Sequence, residues 1–175
     1  RVRHIYIDEF GIIWLATLTK GLGKFNPVSS SFQFYSNDIN NAASISSNRV
    51  MFILPDKNDI YWIGTVDGLN RFDKRTGNFK RYKHDQNNPH SLSQDEVEPL
   101  YEDRQGRLWI GTDEGGLNLF NRNDESFKSF KRFFASSYFS LWAKAIDLRR
   151  CAVRCSGYFS VANSNKSSAF VKFPA

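Results

Sequence analysis

Short apolar runs separated by turn-forming residues fill residues 1–132. The clearest set comprises Val97–Glu102, Leu108–Thr112, Leu117–Phe120 and Ser126–Lys131. The first gap is Asp103–Gly106. Its aspartate can accept hydrogen bonds from backbone N–H groups, and its glycine tolerates positive φ, so the gap is typical of a hairpin turn. Because no window here keeps a 3.6-residue apolar period for long enough to form an ordinary helix, the pattern predicts antiparallel strands.

The same set of runs occurs three times. Trp14 and Trp62 lie 48 residues apart, and Trp62 and Trp109 lie 47 residues apart. A repeat of this length indicates a propeller, a solenoid or another array, and four short strands per repeat match one propeller blade. Other residues keep the same register: Val2, Val50, Val97; Asp8, Asp56, Asp103; Thr17, Thr65, Thr112; Phe25, Phe72, Phe120.

The sequence therefore predicts an all-β fold, a β-propeller fragment of three four-stranded antiparallel blades at about residues 1–38, 44–86 and 91–132. We assign the repeated residues to packing between blades, since such positions usually form the core of a repeat array. A buried Trp109 would make Trp109→Ala cost roughly 3–5 kcal/mol. Gly64 and Gly111 would let a neighbouring blade approach. The structural set is Asp8, Trp14, Asp56, Trp62, Gly64, Gly68, Asp103, Trp109, Gly111 and Gly116.

The repeated motifs resemble the two-component regulator propeller repeat. D-x-x-G-x-[LI]-W-I-G-T-x-x-G-L-x-x-F lies at Asp103–Phe120, F-x-x-Y at Phe79–Tyr82, and H-D-x-x-N-P-x-S-L-S at His84–Ser93. The resemblance covers about residues 1–132. It implies seven-bladed propellers, often two in tandem, in the periplasmic sensor region of Bacteroidetes-type hybrid histidine kinases, including sensors of glycan breakdown products.

The sequence departs from that family in several places. Unit one has Leu15-Ala16-Thr17 where the family prefers Ile-Gly-Thr, and unit two has Asp59 where the turn glycine is expected. Three units are fewer than the 4–8 blades of closed propellers. We find no signal peptide, no run of 18 apolar residues and no kinase motif. We therefore expect a fragment, or a damaged copy, of a larger sensor, whose outer blades would expose apolar surface and associate.

The repeat register stops after Lys131, and residues 133–175 are rich in Ser and Ala. The abrupt stop favours a change of reading frame near Phe130–Phe134, and a genuine non-repeat cap is the alternative. We expect an irregular or partly helical tail, with a short amphipathic helix at Tyr138–Arg150.

The net charge of +6 lies mostly in this tail, which holds six basic residues and one acidic residue. Residues 1–132 hold 18 basic and 17 acidic residues, so the repeats are close to neutral and do not indicate a nucleic-acid groove. Both cysteines, Cys151 and Cys155, lie in the tail. A lone C-x-x-x-C pair lacks the two further ligands of a structural zinc site.

The sequence predicts no catalytic, metal or cofactor site. His84, Asp85 and His90 fall in a turn-rich crossing loop between blades, for which a structural role is favoured over metal binding. In propellers the loops between second and third strands share a face with the crossings between blades, and a ligand should bind there. The candidate ligand-binding residues are Arg49, Asp67, Glu96, Asp113 and Glu114.

The combined prediction is a periplasmic propeller that binds its ligand without catalysis. The ligand would be an oligosaccharide or another small molecule, and binding would bias a membrane-bound histidine kinase in the parent protein. We expect the parent to be a homodimer, and other blades to be the partners of these three. Contact with the membrane would come only through the parent, and nucleic acid is not an expected partner. The alternatives are a protein-interaction propeller, a non-functional gene fragment and a propeller lyase.

Overall fold

A computed structural model of the chain describes residues 1–130. The expected helix at Tyr138–Arg150 and the rest of the tail lie outside these residues. Among the described residues, no helix has the length and apolarity needed to cross a bilayer. The strands are β1 (Val2–Ile7), β2 (Ile13–Thr17), β3 (Leu22–Asn26), β4 (Ser31–Tyr35), β5 (Val50–Pro55), β6 (Ile60–Thr65), β7 (Gly68–Asp73), β8 (Phe79–Tyr82), β9 (Val97–Glu102), β10 (Leu108–Thr112), β11 (Gly116–Phe120) and β12 (Phe127–Phe130).

These strands form three antiparallel four-stranded sheets, and in each sheet the strands follow one another in chain order. We number the sheets as blades 1, 2 and 3. The first strands of the blades, β1, β5 and β9, are the inner strands, and each contacts the next along the array. The all-β prediction of three four-stranded blades is confirmed for the described residues.

The hairpin after each inner strand forms as the Asp-x-x-Gly pattern predicts. Gly11 and Gly106 each have φ near 75°, a conformation that a glycine adopts without a Cβ clash. Unit two has Asp59 at this position, and Asp59 adopts φ 60° in place of a glycine. Asp and Asn are the residues that tolerate this region best after glycine, so the turn keeps its shape.

Each of the first two tryptophans packs its blade against the next blade. Trp14 makes edge contacts with Tyr61 and Phe72 of blade 2, and Trp62 does so with Phe120 of blade 3. Both indoles are about 1% exposed. The core is therefore two apolar clusters, one in each gap between neighbouring blades.

Trp109 departs from the expectation of full burial. It packs on Phe130 of its own blade, and it is only half-buried because no described blade lies beyond it. The cost of roughly 3–5 kcal/mol expected for Trp109→Ala therefore applies to the two indoles enclosed between blades. Gly64 does lie against the next blade, since a Cβ there would meet the Val97 carbonyl oxygen at 2.8 Å. A Cβ on Gly111 would instead meet Pro99 of its own blade, at the same distance.

A buried polar cluster anchors each crossing loop to the blade that follows it. The Ser46 hydroxyl lies 2.9 Å from the Thr65 hydroxyl, and the Asn70 side chain bonds both the Ser46 hydroxyl and the Ser46 backbone N–H. Blade 3 repeats the cluster with Ser93, Thr112 and Asn118. These groups satisfy one another, so the loops are held in place at little desolvation cost.

Candidate functional site

Backbone hydrogen bonds bring the crossing loops and the loops between second and third strands to one face of the array, which we call the loop face. The Gly68 N–H donates to the Asp95 carbonyl at 2.7 Å, joining blade 2 to the crossing that enters blade 3. The Gly21 N–H donates in the same way to the Asn48 carbonyl at 2.9 Å. The arrangement expected from propeller topology is therefore present in this chain.

The five candidate ligand-binding residues lie on this face in two separate groups. In blade 2 the Arg49 carbonyl accepts the N–H of Val66, which precedes Asp67. In blade 3 the Glu96 carbonyl accepts the Asp113 N–H at 2.9 Å. The structure thus pairs these residues within each blade.

The candidate residues differ in exposure and in pairing, and each group contains both exposed and half-buried members. Arg49, Asp113 and Glu114 are exposed, whereas the half-buried Asp67 carboxylate binds the Lys83 ammonium at 2.7 and 2.8 Å. A ligand would have to compete with Lys83 for Asp67. The exposed side chains need no such exchange, but exposure by itself does not mark a binding residue.

His84 serves the internal structure of its crossing loop. Its Nδ1 lies 2.7 Å from the Leu92 carbonyl oxygen, and its backbone N–H donates to the Asp95 carboxylate at 2.7 Å. Within residues 1–130, no group of three or more His, Cys, Asp or Glu side chains is placed to hold a metal ion. These contacts tie His84 into its own crossing loop.

Every inner strand carries a one-residue bulge at the same repeat position, close to the loop face. The bulge falls between Val2 and His4 in β1 and between Val50 and Phe52 in β5. In β9 it falls opposite the Ile110–Thr112 segment of β10. A bulge interrupts the strand ladder and redirects a side chain, and bulges are over-represented beside active sites.

The bulges in blades 1 and 3 bring two opposite charges together. The Arg3 guanidinium donates to both carboxylate oxygens of Glu98, at 2.6 and 2.8 Å. Met51 occupies the equivalent position of blade 2 and is buried. The ion pair therefore joins blades 1 and 3 directly, through residues 95 positions apart in the chain.

This pair has the chemistry of a polar recognition site. Both side chains are 39% exposed, so the pair contributes only about 0–1 kcal/mol to stability and is cheap to open. Arg3 supplies several N–H donors in a plane, and Glu98 supplies acceptors. Neither residue belongs to the candidate set predicted from the sequence. The available signal was the variation from Arg3 to Met51 to Glu98 directly after three invariant valines.

On the side of the array opposite the loop face, each repeated aspartate binds the indole six residues later. We call this the Asp–Trp clamp, and its members are Asp8–Trp14, Asp56–Trp62 and Asp103–Trp109. The Nε1···Oδ2 distances are 3.0, 2.6 and 2.9 Å in that order. The sequence indicated the turn role of the aspartates but not this second role.

The hydrogen bonds of the clamp favour the ionised form of its aspartates. Burial alone would raise the pKa of the Asp8 carboxyl, but the Trp14 indole and the backbone N–H groups of Ile12 and Phe10 outweigh that effect. The pKa of Asp8 therefore lies below its ordinary value. Similar hydrogen bonds lower the pKa of the Asp56 and Asp103 carboxyls against the effect of burial.

The second clamp also receives a cation from the next blade. Arg122, in the turn after β11, donates to the Asp56 carboxylate at 2.5 Å and to Glu102 at 2.8 Å, with its guanidinium 6.0 Å from the Trp62 ring. Arg107 gives the third clamp its cation from within blade 3, at 2.6 Å from Asp103. The clamp aspartates on this side of the array are thus engaged in contacts within and between blades.

The stacked four-stranded sheets and their buried tryptophans define a β-propeller, and comparisons with solved structures agree. The extracellular domain assigned to the hybrid two component system BT3049 of B. thetaiotaomicron is 28% identical over 74% of this chain, with a TM-score of 0.66. Two structures of the BT4673 extracellular domain of the same organism are 21% and 20% identical over 75% and 79% of this chain, both with a TM-score of 0.61. At that identity the BT4673 structures support the fold alone.

The sequence comparison is more specific. The model of the two component regulator propeller family matches residues 90–114. The resemblance drawn from the repeat motifs is therefore confirmed, and the chain is homologous to extracellular propeller domains of two-component systems. A search of the curated proteins gives no match. The chain spans about a fifth of the length of the solved domains, 18% for BT3049 and 18–19% for BT4673.

Proposed function

We propose that these three blades belong to the periplasmic ligand-sensing region of a two-component protein, and that they bind a small saccharide at the inner end of the loop face. The observation that carries the proposal is the Arg3–Glu98 pair, which two strand bulges build from separate blades. A saccharide presents neighbouring hydroxyl groups that both donate and accept hydrogen bonds. The guanidinium and the carboxylate together offer donors and acceptors at one place.

The surroundings of the pair suit such a ligand. Arg49 and Glu96 directly precede the inner strands β5 and β9, two residues before Met51 and Glu98, so they extend the polar rim toward the loop face. The buried polar clusters beneath the crossing loops hold this rim rigid. A rigid scaffold that presents polar loop residues is the usual basis of a binding site in such folds.

The same geometry suggests how binding would be relayed. A ligand that binds between Arg3 and Glu98 replaces the direct contact between blades 1 and 3 with a contact that runs through the ligand. The relative position of the two blades then depends on occupancy, and a difference in affinity between two arrangements shifts their populations. In the parent, which we propose to be a membrane-bound homodimeric histidine kinase, that shift would bias the kinase. The role of these blades is thus binding, without catalysis.

Calorimetric titration of the 175-residue chain with neutral glucose, mannose and xylose oligosaccharides of two to four sugars tests the proposal. We expect at least one of them to bind. Arg3→Ala and Glu98→Ala should each raise its Kd by about 10- to 100-fold, because a hydrogen bond to a charged group contributes about 1.5–3 kcal/mol.

The matched controls lie away from the loop face. Arg75→Ala removes an exposed arginine from the turn after β7, and Glu9→Ala removes an exposed glutamate from the turn after β1. Both should leave the Kd unchanged. No binding by a folded chain, or equal losses in the controls and the test variants, would refute the saccharide site.

A further inference from the structure

A histidine lies next to the ion pair at the inner end of the blades. His4 follows Arg3 in β1, directly after the strand bulge. Its imidazole stacks on the Phe52 ring of blade 2, with the ring centroids 4.3 Å apart and the ring planes inclined by 17°. Phe52 follows the bulge of β5 in the same way, and it packs against the apolar cluster between blades 2 and 3. The stack therefore links blade 1, through blade 2, to the junction with blade 3.

This stack and the ion pair connect the same three blades by two routes. The Arg3–Glu98 pair joins blades 1 and 3 directly, whereas the stack joins them through Phe52. The bulge leaves Arg3 without a ladder partner in β2, and both members of the pair are exposed. The position of Arg3 therefore depends strongly on the packing of its neighbour His4, which is half-buried.

The packing of His4 favours the neutral imidazole. The Nδ1 atom is shielded from solvent and has no hydrogen-bond partner among residues 1–130. Phe52 offers no acceptor, because its ring lies nearly parallel to the imidazole and presents only carbon atoms to it. Burial lowers the pKa of the His4 imidazole from its ordinary value of 6.5. Protonation of the stacked ring is therefore costly.

The charged and titratable groups around His4 do not reverse this effect. β2 and β5, the strands that pack most extensively against β1, contain no such group. On β1 itself, Arg3 is the preceding residue and Tyr6 lies two residues further on. Glu98 of β9 binds Arg3, and Arg49 precedes β5. A protonated His4 would place a second cation beside Arg3, and the one nearby carboxylate is already paired.

The repeat register shows that blade packing does not require a histidine here. Blades 2 and 3 carry Phe52 and Pro99 at the position of His4, and neither can titrate. Histidine is the side chain whose charge ordinarily changes between about pH 5 and pH 8. In blade 1 the position next to the ion pair therefore gains a sensitivity to pH that the other two blades lack.

We propose that His4 is a positioning residue for the Arg3–Glu98 pair, and that protonation of His4 releases the pair, so that saccharide binding weakens in acid. This role rests on the saccharide site proposed above and adds a control to it. An unstacked His4 takes up a proton near its ordinary value of 6.5, whereas the stacked ring resists protonation. The contribution of the stack is therefore complete above that pH and is lost as the pH falls below it.

The Arg3 side chain reports this control without any ligand. In two-dimensional proton–nitrogen NMR spectra of the 175-residue chain, Arg3→Ala identifies the Arg3 Nε–H signal and His4→Phe identifies the His4 ring signals. We expect the Arg3 signal to shift between pH 7.5 and pH 5.5 with the same midpoint as the His4 ring. His4→Phe keeps an aromatic ring on Phe52 but cannot take up a proton, so its Arg3 signal should stay constant.

Calorimetric titration with the same glucose, mannose and xylose oligosaccharides connects this response to binding. We expect the wild-type Kd to rise at least about threefold from pH 7.5 to pH 5.5, and the Kd of His4→Phe to change much less. His90→Gln is the matched control, because it removes an exposed histidine from a crossing loop and should leave the wild-type pH dependence intact.

The two measurements separate the role of His4 from the saccharide site itself. An Arg3 signal that does not follow the titration of His4, or that responds equally in His4→Phe, would overturn the role of His4 even if a saccharide binds. A Kd with the same pH dependence in both chains would do so as well. Absence of saccharide binding would refute the site, while the Arg3 signal would still decide whether His4 positions the pair. Circular dichroism establishes folding, and His4→Leu replaces His4→Phe if that variant does not fold.

Discussion

Replacing Trp62 should destabilise the chain more than replacing Trp109, although the two residues occupy the same repeat position. Trp62 is enclosed between blades 2 and 3, where it contacts Tyr82 and Phe120. Trp109 contacts Phe130 of its own blade and is half-buried. Both indoles donate to their clamp aspartate, so the hydrogen bond does not distinguish them.

The expected magnitudes follow from burial. An enclosed tryptophan removes roughly 150–250 Å² from water, which is about 4–6 kcal/mol at 25 cal/mol per Å². Measured losses for Trp→Ala are usually about 3–5 kcal/mol, and we expect Trp62→Ala to fall in that range. Trp109→Ala leaves less of a cavity, because no second blade holds one open, and we expect it to cost about 2 kcal/mol.

Urea unfolding followed by far-UV circular dichroism measures both values. Both variants are measured at the same low protein concentration, so that any association contributes little to apparent stability. Trp62→Phe separates packing from the clamp, since it keeps an aromatic ring but removes the indole N–H. Loss of the indole N–H hydrogen bond should account for about 1 kcal/mol of the decrease in the free energy of unfolding.

Equal costs for the two alanine variants would refute this reasoning. Such a result would mean that Trp109, on the side of blade 3 turned away from blade 2, is as well covered as Trp62 between blades 2 and 3. A larger cost for Trp109→Ala than for Trp62→Ala would further show that blade 3 holds the main core, against the cluster assignment given above.

Two other predictions concern the clamp and the blade contact. Because the folded-state pKa of each clamp aspartate lies below the ordinary 3.8, their stabilisation is complete above that value and is lost as the pH falls through the lower folded-state values. Urea unfolding from pH 5 to pH 2 should show this loss, and Asp103→Asn should reduce its slope; a flat profile would contradict the clamp. Gly64→Ala should cost about 1–3 kcal/mol because its Cβ would meet the backbone of the next blade at 2.8 Å. Gly23→Ala, whose Cβ would meet movable side chains at 3.2–3.3 Å, should cost less, and the reverse order in the same assay would argue against the contact.

The candidate site was only partly predictable from the sequence. The loop face follows from topology, so Arg49, Asp67, Glu96, Asp113 and Glu114 could be placed on it before any coordinates were known. The division of these residues into one group per blade could not be predicted, because it depends on which backbone groups form hydrogen bonds within each blade. The pairing of Asp67 with Lys83 likewise depends on how the end of one blade turns into its crossing loop.

The sequence by itself determined the repeat, the strand count and the turn positions of the three blades. These properties are local. Short apolar runs separated by turns such as Asp-x-x-Gly specify hairpins within about 47 residues, and three copies of the pattern specify three blades. It also indicated that the aspartate and tryptophan of each unit matter, since they keep a constant spacing.

Only the tertiary structure decided what those residues touch. The sequence treats Trp62 and Trp109 alike, yet burial depends on whether another blade lies beyond, and the two differ for that reason alone. The ion pair of Arg3 and Glu98 joins residues from blades 1 and 3, and no local pattern relates them. Packing and charge pairing are non-local properties, so they appear only once the blades are set side by side.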